Sequence, residues 1–186
     1  MPRDWPVRQA VRALRRGGLV AYPTEAVYGL GCNPLDPYAV GRLLALKHRP
    51  VAKGLILIAE RFEQLAPWLA GVPPRLAERA LATWPGPVTW TWPAQDWVPD
   101  WLRGEHSTLA VRVTAHPVAA ALCRRWGGAL VSTSANPAGL RPARNPLHVQ
   151  CYFGNQVDTI IHGATGPRSS PTPIHDLLSE NIIRPA

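Results

Sequence analysis

Leu46-Lys47-His48-Arg49-Pro50-Val51-Ala52-Lys53-Gly54, running directly into Leu55-Ile56-Leu57-Ile58-Ala59, is where the chain changes from one periodicity to another. Upstream, Val40, Leu43, Leu44 and Ala45 recur at helical spacing. Downstream, an unbroken apolar run is what a strand covered on both faces looks like. Pro50 and Gly54 punctuate the segment between them, so it reads as a connection and not as a fraying helix end. A helix delivered into a buried strand indicates an α/β chain. Lys47, Arg49 and Lys53 crowd this connection, with His48 between two of them. Such cations repel one another unless water or an anion disperses the charge. A helix C-terminus favours a cation by roughly 0.3–1 kcal/mol, which accounts for one of the three and leaves the others.

Two more stretches have the same form, a short apolar strand ending in small polar residues. One is Pro23-Thr24-Glu25-Ala26-Val27-Tyr28-Gly29-Leu30-Gly31 after a strand over 19–22. The other is Ser132-Thr133-Ser134-Ala135-Asn136 after a strand over 129–131. Ligands of open α/β sheets bind beyond the carboxyl ends of strands, so the three stretches can meet around a phosphate-bearing ligand. The Tyr28–Gly31 glycines are not spaced as GxGxxG; they read as places for close backbone approach to a ligand. Serine- and threonine-rich loops are common, and each stretch taken alone is also consistent with an ordinary loop.

The remaining periodicity predicts helices over 5–16, 38–46, 62–69, 74–82 and 117–126. Strands are predicted over 55–59, 88–92, 107–113 and 157–161. Asp36 caps the second helix, with Pro37 at its first position. Arg112 is the single charge of its strand and shares a face with Ala110 and Thr108. A buried arginine must be paired with a protein carboxylate or with a ligand's carboxylate or phosphate. The open alternative is an exposed face of an edge strand. Residues 137–146 are a loop rich in Pro, Gly and Arg that carries Arg141 and Arg144, and residues 163–173 are a second loop with Arg168, Ser169, Ser170 and Thr172.

The chain of 186 residues is 46% hydrophobic and 17% charged, a globular balance that excludes a disordered polymer. No apolar run approaches the roughly 20 residues of a membrane span, and the N-terminus lacks a signal-peptide core, so a cytoplasmic protein is expected. Cys32, Cys123 and Cys151 follow no metal-ligand spacing and read as reduced thiols. The net charge of +8 favours anionic partners such as nucleotides or RNA. Arg8, Arg12, Arg15 and Arg16 share one side of the first helix, either as a solvated face or as a contact for duplex RNA. GxSxG is absent, and no Ser-His-Asp arrangement is implied.

Taken in order, the blocks YPTEAVYGLGC, LLALKHRPVAKGLILIA, WPGPVTW, LAVRVTAHP, VSTSAN and SPTPIHDLLSENIIRP resemble the YrdC-like family of threonylcarbamoyl-AMP synthases, in its short bacterial TsaC form. The resemblance runs from about residue 5 to residue 185. It implies one YrdC-like domain over 1–186, a twisted mixed sheet flanked by helices around a large basic cavity. It implies synthesis of L-threonylcarbamoyladenylate and pyrophosphate from L-threonine, bicarbonate and ATP. The product feeds the t6A modification of tRNA through other t6A-synthesis proteins.

By the same resemblance, Lys47 and Arg49 occupy the KxR positions and Ser134 and Asn136 the SxN positions, the group expected to carry catalysis. Thr108 and Arg184 join them as ATP positions. Thr24, Arg112, Ser132 and Thr172 fall at threonine-binding positions. Mg²⁺ is expected to travel on the nucleotide with no protein metal cage. The competing function, from a different class, is a double-stranded-RNA-binding or ribosome-maturation factor using the same basic surface. tRNA or duplex RNA is its expected partner, and no membrane is involved in either case.

Overall fold

The computed structural model describes residues 4–168 and 170–185, so Ser169 lies outside the described residues. In chain order the elements are α1 (Asp4–Arg15), β1 (Val20–Pro23), β2 (Tyr28–Gly31), α2 (Pro37–Lys47), β3 (Ile56–Ala59), α3 (Pro74–Leu81) and β4 (Thr89–Pro93). They continue with α4 (Asp100–Arg103), β5 (Thr108–Val113), α5 (Pro117–Trp126), β6 (Leu130–Ser134), α6 (Pro146–Phe153), β7 (Thr159–Ile160), β8 (Ile174–Asp176) and β9 (Ile182–Arg184).

The described strands form one mixed sheet in the order β7-β1-β2-β6-β3-β5-β4-β8-β9. The pairs β1/β7, β3/β5 and β4/β8 are parallel, and the other neighbours are antiparallel. The apolar run 55–59 does become an interior strand, flanked by β5 and β6. Its side chains alternate as a pleated strand requires. Leu57 and Ala59 join the core that includes α2 and the buried Trp90 and Trp92, while Ile58 joins the core under α1 and α5.

Several expectations are corrected. Tyr28–Gly31 is a strand paired on both sides, with β1 and with β6. Its glycines serve different ends. A Cβ on Gly29 would press on Thr24, Tyr22 and Ser132 at 3.2–3.3 Å, inside the cavity region, whereas a Cβ on Gly31 would overlap the Val131 carbonyl oxygen of the neighbouring strand region. Close approach at Gly31 is therefore to protein and not to a ligand. Gly31→Ala is expected to destabilise the fold by about 1–3 kcal/mol, the usual range for overpacking, read as a lowered urea midpoint with an unchanged slope. A midpoint equal to wild type would show that the strands separate at no cost.

The stretch 62–69 is not a helix but two single 3₁₀ turns, Phe62–Gln64 and Ala66–Trp68. Pro67 lies inside it, and the tilted contacts of Phe62 with Trp92 and of Trp68 with Trp97 hold the segment down. On α1 the arginines are largely engaged locally. Arg8 and Arg125 pair with Asp4, and Arg12 lies 5.9 Å above the Trp5 ring. This is the pattern of a solvated face. No helix among the described residues is long and apolar enough to cross a membrane.

Candidate functional site

The sheet's interior strands put polar side chains on one side at their ends, and these surround a cavity of about 320 Å³. Thr24, Arg49, Thr108, Arg112, Ser132, Ser134, Thr172 and Arg184 line it. Lys53, Arg103, His106 and Asp176 also line it, and nothing in the sequence pattern singles out the last three. Asp176 is the one carboxylate on this wall among the described residues. Lys47 and Asn136 are not on the wall.

Arg112 is at the centre of the arrangement. Strand β5 is interior, so the edge-strand alternative is excluded, and the residue is only 6% exposed. Its Nη1 donates to Thr172 Oγ1 at 2.7 Å, and its Nη2 lies 3.4 Å from Glu25 Oε2. Its Nε has no hydrogen-bond partner among the described residues. Thr172 links a second arginine, because its carbonyl accepts from Arg184 Nη2 at 2.7 Å. Arg184 comes from β9, which pairs with β8 and so brings the end of the chain to this wall. Burial pulls the Arg184 pKa down, and the charges of Arg112 and Arg49 add to the effect. The same cause, burial, pulls Arg49 down. Guanidinium groups crowded in this way are more stable with an anion among them.

Glu25 is the counter-charge that a buried Arg112 required, and it was not selected from the sequence. Thr114 Oγ1 donates to its Oε1 at 2.6 Å and the Ala115 amide at 3.0 Å. Burial raises its pKa, but the Arg112 charge and these hydrogen bonds outweigh that and hold it below its ordinary 4.5. A depressed carboxylate stabilises the fold above its unfolded-state pKa and stops doing so as pH falls through the folded value. Glu25→Gln is therefore expected to lower the melting temperature at neutral pH. The gap from wild type should close as pH drops below about 4.5. A gap that stayed constant from neutral pH into acid would mean the charge of Glu25 contributes nothing.

Segment 163–168 is laced to the Thr24 stretch. Gly166 N donates to Thr24 O at 2.9 Å, and the Tyr28 hydroxyl donates to Gly163 O at 2.6 Å. Thr24 Oγ1 itself donates to Val27 O at 2.7 Å. Arg49 donates from Nη2 to Gly54 O at 2.9 Å and from Nε to the same oxygen at 3.2 Å. This folds the 51–54 turn under its guanidinium, and Lys53 reaches the wall from that turn.

Lys47 is 5% exposed and does not line the cavity. Its Nζ donates to the carbonyl oxygens of Ser134 and Asn136, the latter at 2.7 Å. Burial, with Arg49 nearby, pulls its pKa down to about 8. Asn136 turns its amide to Pro137 O at 3.0 Å and Leu140 O at 2.8 Å, and its Oδ1 is buried with no partner among the described residues. Among the described residues no cluster of three or more His, Cys, Asp or Glu can hold a metal ion.

Residues 12–186 match the family model Sua5_yciO_yrdC, described as Telomere recombination. The threonylcarbamoyl-AMP synthase of Halorhodospira halophila is 58% identical over 182 residues, covering 98% of this chain and 95% of its own. The crystal structure of P. abyssi Sua5 complexed with L-threonine superposes with a TM-score of 0.91 at 35% identity. That match covers 98% of this chain but 54% of the Sua5 chain, so this chain spans about half of that protein's length. E. coli YciO superposes with a TM-score of 0.85 at 28% identity, covering 99% of this chain and 90% of its own.

Proposed function

This chain belongs to the Sua5/YciO/YrdC family, and from that premise we propose that it is a threonylcarbamoyl-AMP synthase whose active site is the arginine-lined cavity. The observation that carries the reading is the convergence of Arg49, Arg112 and Arg184 on one cavity, with Thr172 holding the last two together. The whole stretch 1–186 works as one YrdC-like domain in this proposal.

The reaction has two bond-forming steps. The threonine amine attacks bicarbonate carbon and water leaves, giving an N-carboxylate. An oxygen of that carboxylate then attacks the α-phosphorus of ATP, and pyrophosphate departs. Neither step needs a side-chain nucleophile. Both bring anions together, so the protein's task is to hold them in line and offset their repulsion. Arg112, on the cavity wall, takes the threonine carboxylate, which leaves the amine turned towards the cavity. Thr24 and Ser132 border the same end, beside Gly29, whose missing side chain keeps that end open. Arg49, Lys53 and Arg184 take the triphosphate, with the Ser134 hydroxyl beside it and Thr108 further along the wall. A wall with one carboxylate among its described residues suits Mg²⁺ that arrives on the triphosphate and keeps phosphate oxygens and water as its ligands. The proposal puts the protein in the cytoplasm, where other t6A-synthesis proteins take the adenylate on to tRNA.

The test is pyrophosphate release from ATP by the purified protein. Release should require both L-threonine and bicarbonate and should be weak with L-serine. Release independent of the amino acid would sink the proposal.

A further inference from the structure

We propose that Lys47 is a positioning residue that fastens the KxR segment to the SxN segment from behind the cavity wall, and is not itself a phosphate ligand. The inference rests on the synthase reading for its catalytic consequence, but not for its geometry.

Lys47 and Arg49 are separated by His48, which takes the left-handed conformation at φ 50° and ends α2. Residues on either side of such a reversal leave the helix in different directions, and the two cations do so here. Arg49 lines the cavity. Lys47 stays on the buried side of α2 and spends its ammonium on the Ser134 and Asn136 carbonyls. Its own backbone carbonyl accepts from Ala138 N at 3.0 Å, so both ends of Lys47 hold the same strand-to-loop exit. On the opposite side that exit is fixed through Ala135 N to Tyr28 O at 2.8 Å. Ser134 is the last residue of β6, and its place on the cavity wall is set by where this exit is held. Buried carbonyls facing each other in this way need a donor between them. An ammonium supplies more than one, and neither methionine nor alanine supplies any.

Lys47 and Lys53 are the only lysines in the sequence, which makes the proposal directly readable. In wild-type protein with ¹⁵N-labelled lysine, the Lys47 ammonium protons are expected to exchange with water more slowly than those of Lys53. Adding Mg-ATP should shift the Lys53 signal and leave the Lys47 signal nearly in place. Equal exchange in the free protein, or a Lys47 shift larger than that of Lys53, overturns the proposal. If ATP moves neither signal, the synthase reading fails, while the exchange comparison still decides where Lys47 is held.

A kinetic cycle gives a second readout. Lys47→Met is expected to lower kcat roughly 10- to 100-fold, the range for losing a charge-assisted hydrogen bond. In a Ser134→Ala background the same change should cost much less, because Lys47 acts through the exit that places Ser134. Equal losses in both backgrounds would make Lys47 an independent contact and contradict the proposal.

Discussion

Arg112→Gln is expected to raise the threonine concentration for half-maximal pyrophosphate release by about 100-fold, the consequence of losing a bidentate charge-assisted contact. The KM for ATP should change little. The substitution also leaves Glu25 buried with no cation, and breaking a buried pair in this way costs about 3–5 kcal/mol of stability. The two losses can be separated. The double variant Glu25→Gln/Arg112→Gln removes both charges and should recover much of the melting temperature of wild type, because neither partner is then an uncompensated ion. It should recover none of the threonine affinity. Recovery of both would mean that Arg112 is only a structural cation, and the threonine carboxylate binds elsewhere on the wall.

Arg49→Ala is expected to reduce kcat/KM for ATP by about 10²–10³, the magnitude found when a preorganised donor to a developing anion is removed. The threonine KM should move by less than threefold. Arg49→Lys should recover only part of the activity. A lysine restores the charge but not the planar fork, which now spans from the cavity to the Gly54 carbonyl. Steady-state kinetics with each substrate varied in turn checks both points. A variant that loses threonine affinity and keeps ATP affinity would reverse the assignment of the two ends of the cavity.

These assignments rest on features that the sequence revealed unevenly. The apolar run 55–59 was legible because burial on both faces leaves no polar alternation to misread, and it is an interior strand. Strand β2 was not, because its alternate glycines carry no side-chain pattern; only packing explains them, Gly31 against Val131 and Gly29 against Thr24, Tyr22 and Ser132. Helix α6 and strand β8 were missed for a different reason. Both are short, and their flanking prolines read as loop.

At the site, residue types were easier to read than directions. A lone arginine in an apolar strand announced that it needed a partner, and Glu25, already inside the Pro23–Gly31 stretch, was the acidic residue to ask about. The KxR spacing announced two cations at one place. It could not show that His48 would turn left-handed and send Lys47 to the Ser134 and Asn136 carbonyls while Arg49 faces the cavity. Arg103, His106 and Asp176 reach the wall through α4, the loop that follows it and the end of β8, placements that only tertiary packing decides.

In the proposed reaction Arg112 holds the threonine carboxylate, so that the amine is carboxylated and the new carboxylate attacks ATP. Supplying ¹³C-bicarbonate with L-threonine and ATP and weighing the adenylate product by mass spectrometry tests this most directly. The expected product is a threonylcarbamoyl adenylate that contains one ¹³C from bicarbonate. Threonine-dependent pyrophosphate release with an unlabelled threonyl adenylate would contradict it, because the carboxylate assigned to Arg112 would then be the attacking group.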